Sequence, residues 1–444
     1  MGVGRRSDAS KKQTSGSPST AREPLIIAAA FLEGVVCVSG VPVMMAQMKY
    51  VSFPSSAHLF AYQLCFLVPQ LVSTLVVEEL TLYVSSSLLL FLTLVCSTGS
   101  AAIASLGLSQ RALSLMFASR LLNGVFKHDK TLFGVTAKTF YMPTSSIGTM
   151  TRYGMIAGML LSGIAADVLN QAVHVANLFI AVQALAAALV LARVLFGNRT
   201  PVVSARTSLQ YIPWLLRLTR APAAVYRAVA TLVAVMLAAS VNQVVYPIVA
   251  PSYDLPYSFA GAHLGFNLLL QLVLMPYVVA VAQRMARRWT PNLFLRGSAD
   301  ENLTVVAGLM LLAGCIFVPY AADQGPLVFY PTSLLLVDIP AGALISLTVI
   351  AVHAALGKSS ADAPKVERFL GHITQVVKMF AAPIRICMSE NFASGKHPVR
   401  YISVPLVMYA LVYARTRSVA YALTALATTL LFLTHTVFSF EGEL

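Results

Sequence analysis

About a dozen stretches of this chain are apolar for the length needed to cross a lipid bilayer, and that property excludes most soluble architectures. A helix rises about 1.5 Å per residue, so a hydrocarbon core of about 30 Å needs roughly 20 apolar residues in succession. Such stretches lie near 25–47, 58–77, 82–107, 110–131, 148–167, 173–197, 224–250, 260–283, 303–322, 329–356, 369–388, 400–415 and 418–438. The eleventh is amphipathic, the twelfth is short, and the last is either an additional helix or part of the tail. Runs such as LLLFLTLV are apolar on every side, whereas the strands of a spanning barrel alternate, so the expected fold class is all-α. Composition agrees: 11% of residues are charged, against about 25% in a soluble domain that must hydrate its surface.

Charge gives the stretches a direction. Of the 31 Lys and Arg residues, most fall in the N-terminal tail and in alternate connections, at 127–152, 193–227, 284–296, 358–378 and 415–417. Cytoplasmic loops retain positive charge, which predicts a cytoplasmic N-terminus. Sidedness therefore accounts for the net charge of +14, and no nucleic-acid partner is implied. Residues 1–24 are polar, Ser-rich and basic, and are expected to be a disordered tail rather than a cleavable signal. Arg6 breaks the myristoylation pattern that the first residues otherwise resemble. The five cysteines sit in apolar stretches without CxxC spacing, so they read as small packing residues, with no metal site and no cofactor indicated.

Two halves are discernible. Pro42 and Pro247 close the first and seventh stretches, and AHL at 57–59 recurs at 262–264, all at an offset of 205. Further on, at an offset of 223, Gly148 matches Gly371, Thr151 matches Thr374, Asp167 matches Glu390 and His174 matches His397. The chain thus divides into a tail (1–24), a first six-helix bundle (25–197), a basic connection (198–223), a second six-helix bundle (224–415) and a final segment (416–444). Within the connection, LQYIPWLLRL reads as a surface-lying amphipathic segment or as a plain linker with a few buried apolar side chains.

Six stretches, a basic connection and six more resemble the major facilitator superfamily. Its loop motif G-x-x-x-D-R-x-G-R-R is similar to 279–288, where Arg284, Arg287 and Arg288 stand at matching positions and Val279, Gln283 and Ala286 replace the other signature residues. The first-half copy has lost its basic residues and carries Glu78 and Glu79. Its fourth-span R-x-x-x-G is similar to RLLNG, with Arg120 and Gly124 in place. Gly154 and Gly163 fit the fifth-span antiporter motif, but Ile164 occupies the Pro position, so antiport does not carry over. The resemblance implies two pseudo-symmetric bundles and transport of a small solute by alternating access.

Charges within apolar stretches are the candidate pathway, because each costs about 2.5–3.5 kcal/mol at mid-membrane unless it meets a cavity or a partner. Arg120, Asn123, Lys127 and Lys130 fall within about 80° on a continuous helix. If that helix runs on through KHDK they line an aqueous path; if it ends at Phe126, Lys127 and Lys130 are its cap. His263, Asn267 and Gln271 share one face of the eighth stretch, with Asn242 on the seventh as an expected neighbour. Neutral groups of this kind also serve as glue between helices, at about 0.6 kcal/mol per bond. Glu33 and Asp338 are the acidic residues well inside secure stretches; each is a counter-ion for Arg120 or a proton-carrying group. Gly154 with Gly158, and Gly261 with Gly265, form GxxxG, which allows close helix approach. The competing classes are a non-transporting receptor or scaffold and an intramembrane enzyme; for the latter no GxSxG, HExxH or GxxxxGK is present.

Overall fold

The computed structural model describes residues 23–48, 56–81, 83–139, 144–169, 171–196, 211–218, 221, 253–289, 324–356 and 365–374, with scattered positions in 225–236, 303–321 and 376–377. The N-terminal tail, Asn242 and the twelfth and thirteenth expected stretches lie outside them, as do the side chains of Lys130, Arg287 and Arg288. All regular structure among the described residues is helical. The first half holds α1 (Glu23–Met48), α2 (Ser56–Leu80), α3 (Ser86–Gln110), α4 (Leu113–Phe126), α5 (Asp129–Thr139), α6 (Thr144–Leu169) and α7 (Ala172–Phe196). After the short α8 (Tyr211–Arg217), the second half holds α9 (Tyr257–Leu269), α10 (Met275–Trp289), α11 (Pro326–Ser333) and α12 (Ile339–Leu356). A π-helical turn, Leu270–Leu274, joins α9 to α10, and a second, Leu334–Asp338, joins α11 to α12.

Among the described residues, five rods are long and apolar enough to cross a membrane: Ser86–Gln110, Ser146–Leu169, Val173–Phe196, Tyr257–Met285 and Pro326–Leu356. The molecule is an integral, multi-pass membrane protein. Val72, Leu161, Ile164, Val168, Leu185 and Leu327 are exposed, the outward arrangement that lipid rather than water rewards.

Helix ends follow from local chemistry. Ser85 caps α3 by accepting the Leu88 N–H at 3.3 Å. At the other end Arg111 takes the left-handed conformation (φ 54°), and the Ala112 N–H bonds the Gly107 carbonyl at 2.9 Å, which turns the chain tightly into α4.

Small residues set the packing. Serines on α3 lock it to α4 and α7: the Ser100 and Ser119 hydroxyls each donate to the other's carbonyl at 2.7 Å, and Ser105 donates to Asn177 Oδ1 at 2.7 Å. Bonds of this kind contribute about 0.6 kcal/mol each in membrane bundles. Gly154 and Gly158 sit directly on the α1 backbone, where an added Cβ would run into the Phe31 and Val35 carbonyls. Ile26, Ala29, Ala30, Leu90, Leu94, Phe133 and Ala186 form the buried core of this half.

Two pairs of positions matched by the offset of 223 have similar surroundings. Thr151 donates to the Ile147 carbonyl at 3.0 Å and Thr374 to the Leu370 carbonyl at 2.8 Å, the same intrahelical bond at the offset of 223. Gly148 and Gly371, paired by that offset, both face open space. In the connection between halves, Trp214 meets Phe369 edge to face at 6.2 Å and packs against Ala228, Val352 and Val366, so α8 docks on the second half.

Candidate functional site

Arg120 lies near the middle of α4, one turn before Gly124. An added Cβ at Gly124 would collide with the Phe66 carbonyl, so glycine there lets α4 close onto α2. That approach lays the Arg120 guanidinium over two rings of α2, with Cζ 4.7 Å from the Tyr62 centroid and 5.5 Å from that of Phe66. Each cation–π contact is worth about 0.5–2 kcal/mol, which offsets part of the cost of a charge at this depth. Arg120 Nε is buried and meets no acceptor.

The fourth expected stretch is not one helix. It stops at Phe126; Lys127 leaves helical geometry (φ −79°, ψ 76°), and α5 starts at Asp129. The continuous polar stripe from Arg120 to Lys130 is therefore broken at Lys127. The break is held from α2: Gln70 Nε2 donates to the Lys127 carbonyl at 3.2 Å and the Ser73 hydroxyl to the Gly124 carbonyl at 3.3 Å. His128, buried, places Nε2 2.7 Å from Ser73 Oγ and 2.8 Å from the Val125 carbonyl, with Nδ1 3.4 Å from Thr74 Oγ1. A proton on Nε2 satisfies that carbonyl, which can only accept.

Freed from the helix, Lys127 reaches across to α1 and pairs with Glu33, Nζ to Oε1 at 2.7 Å. Glu33 is 1% exposed. The carboxylate that the sequence offered to Arg120 is thus engaged by Lys127. Asn123 accepts from Ser97 at 3.5 Å, as part of the α3–α4 contact.

In the second half, His263 stands 4.7 Å from Tyr330, and Tyr330 meets Phe259 and Phe329 edge to face, an aromatic cluster at the start of α9 and α11. One turn further along, Asn267 is 3% exposed and, among the described residues, neither atom of its amide finds a partner; Gln271 Nε2 is likewise buried and unpartnered there. An unmet buried amide costs about 1–3 kcal/mol per group. Gly342 lies against Met275 and Gln271, and Asp338, 1% exposed, stands one turn before that glycine. Asp338-x-x-x-Gly342 thus has the spacing of Arg120-x-x-x-Gly124 with the charge reversed; Gly124 meets α2, and Gly342 meets the Leu270–Leu274 turn and the start of α10. Both π-turns lie in this region, the wide turns that recur where helices carry function. Arg284 is exposed near the end of α10. Among the described residues no cluster of His, Cys, Asp or Glu could hold a metal ion.

Sequence reasoning passed over the seam between halves. Asp167, at the end of α6, accepts the Tyr257 and Ser258 backbone N–H groups of α9, both at 2.8 Å. A carboxylate there meets the orphan donors and the positive end of α9. Gly163 and Gly261 bring the two backbones together just inside: a Cβ on Gly163 would stand 2.6 Å from the Tyr257 carbonyl oxygen, and one on Gly261 2.6 Å from that of Met159. Further along the seam Arg152 Nη1 donates to the Leu272 carbonyl at 3.3 Å. The offset pairing Asp167 with Glu390 was the available signal, but nothing in it pointed to α9.

No protein-family model matches the chain, and no curated protein matches it by sequence. Solved structures do match it in shape. The nucleoside transporter NupG is similar at a TM-score of 0.61 and 11% identity, over 91% of this chain and 98% of that one. An auto-inhibited POT-family peptide transporter gives 0.56 and 13% over 90% and 96%, and a D-xylose–proton symporter 0.55 and 14% over 88% and 96%. At such identities the likeness defines the fold, and the chain has the two-bundle major-facilitator fold.

Proposed function

We propose that the protein carries a small solute across its membrane by alternating access, with the two bundles rocking about a central site. The observation that carries this is the pairing of a transporter fold with a seam closed at one end by Asp167 on the α9 N-terminus. Rocking requires a contact strong enough to hold one state and small enough to release, and one carboxylate on two N–H groups is of that order. The path is lined by Glu33, Arg120, Asn123, Lys127, His263, Asn267, Gln271 and Asp338, with Asn242 assigned from sequence. Arg284, Arg287 and Arg288 form the loop motif between the eighth and ninth spans. The positive charge of alternate connections puts the N-terminus in the cytoplasm and the Asp167 seam on the opposite side.

Glu33 or Asp338 couples proton movement to the solute. Full-length protein in proteoliposomes, screened for metabolite uptake with and without an imposed proton gradient, tests the carrier. Uptake that rises with the gradient and loses its pH dependence in Glu33→Gln or Asp338→Asn supports coupling. Unchanged pH dependence in both variants eliminates it, and absence of flux for every solute in the screen leaves a receptor or scaffold.

A further inference from the structure

We propose that Arg120 is the receptor for an oxyanion group, a carboxylate or a phosphate, on the solute. The inference deepens the carrier reading and rests on it. Arg120 sits near the middle of a membrane-depth helix and, among the described residues, has neither an ion-pair partner nor a hydrogen-bond acceptor, while its Nε is buried. Of the two carboxylates expected as its counter-ion, Glu33 is held by Lys127 at 2.7 Å, and Asp338 forms no ion pair with it. A guanidinium present only to bind helices together would have been given an acceptor by the fold, since charges inside membranes pair or face a cavity.

Its packing explains how the group can wait for a ligand. Arg120 Cζ lies over the rings of Tyr62, 1% exposed, and Phe66, 4.7 and 5.5 Å from their centroids. A ring face attracts the charge but offers no lone-pair acceptor, so the guanidinium keeps the planar N–H fork that matches two oxygens of a carboxylate or phosphate. Arg120 is half-buried, so part of the side chain still borders open space. Gly124 is part of the same device, because only its missing side chain lets α4 lie close enough to α2 for the rings to reach. An ammonium would lose both the flat face and the fork.

The test uses full-length protein in nanodiscs of phosphatidylcholine, which carries no net charge and so removes anionic lipid as the source of the group. Succinate, benzoate and inorganic phosphate are titrated by thermal shift, beside the uncharged succinamide and benzamide. At least one anion is expected to raise Tm while its amide counterpart does not. Arg120→Gln should weaken that anion about 10- to 100-fold, the worth of a charge-assisted contact, and Arg120→Lys should keep part of the affinity. In the wild-type protein the same anion should slow phenylglyoxal modification of Arg120, read by mass spectrometry, which decides the matter even if Arg120→Gln does not fold. A preference for succinate or benzoate over phosphate assigns a carboxylate, and the reverse a phosphate. Stabilisation by amide and anion alike, undiminished affinity in Arg120→Gln, or no protection by any of the three anions would overturn the proposal. Binding is read here without flux, so an anion site can stand where transport fails, and transport can stand where the anion site fails.

Discussion

The Lys127 ammonium and the Glu33 carboxylate meet at 2.7 Å with side chains 14% and 2% exposed, so each compensates the other for leaving water. Removing one partner strands a charge, at a cost of about 3–5 kcal/mol, whereas neutralising both is far less damaging. Glu33→Gln and Lys127→Gln are each expected to lower the Tm of the purified protein, and the double variant to recover most of the loss. Equal and additive losses would mean that the two side chains do not interact. His128 is a different case: it holds a break in a helix. Ser73→Ala removes the hydroxyl that stands 2.7 Å from its ring and 3.3 Å from the Gly124 carbonyl, and should cost about 1–3 kcal/mol in thermal stability.

Helix seams are governed by a few glycines, and those glycines are not equivalent. Gly154 touches the α1 backbone, so Gly154→Val forces α6 and α1 apart and should destabilise the protein by about 1–3 kcal/mol. Gly99 in α3 has nothing within 4 Å of an added Cβ, and Gly99→Ala should be neutral or raise stability by up to about 1 kcal/mol through helix propensity. Thermal unfolding of the two variants side by side checks the contrast; similar losses in both would mean that the glycines act through the backbone alone. The π-turn Leu270–Leu274 follows Asn267, whose amide has no partner, and Leu334–Asp338 ends on a buried carboxylate, so both wide turns coincide with polar side chains in an apolar setting.

For the molecule as a whole, the seam between α6 and α9 is where one half holds the other. Asp167→Ala removes a carboxylate from two N–H groups, a loss of about 1.5–3 kcal/mol per charge-assisted bond, and should shift the bundles toward opening at that end. With the five native cysteines replaced, a cysteine at the buried position Ala260 should react faster with a membrane-impermeant maleimide in Asp167→Ala than in the parent. An unchanged rate would show that the cap does not keep the seam shut. Much of the architecture was written in the sequence by itself: apolar length set the rods, and the count of apolar stretches on either side of a basic connection pointed to two bundles. These are local or periodic properties, because a bilayer demands about 20 apolar residues whatever the neighbours are. Arg120 and Gly124 were also legible as a pair, since four residues on a helix put them on one face. Partnership was not. That Lys127 and not Arg120 holds Glu33, that α4 stops at Phe126, and that Asp167 caps α9 depend on groups brought together from residues 90 or more positions apart, or from a neighbouring helix. Charge and hydrogen bonding act over a few ångströms in space, and only the packed bundles decide which groups come that close.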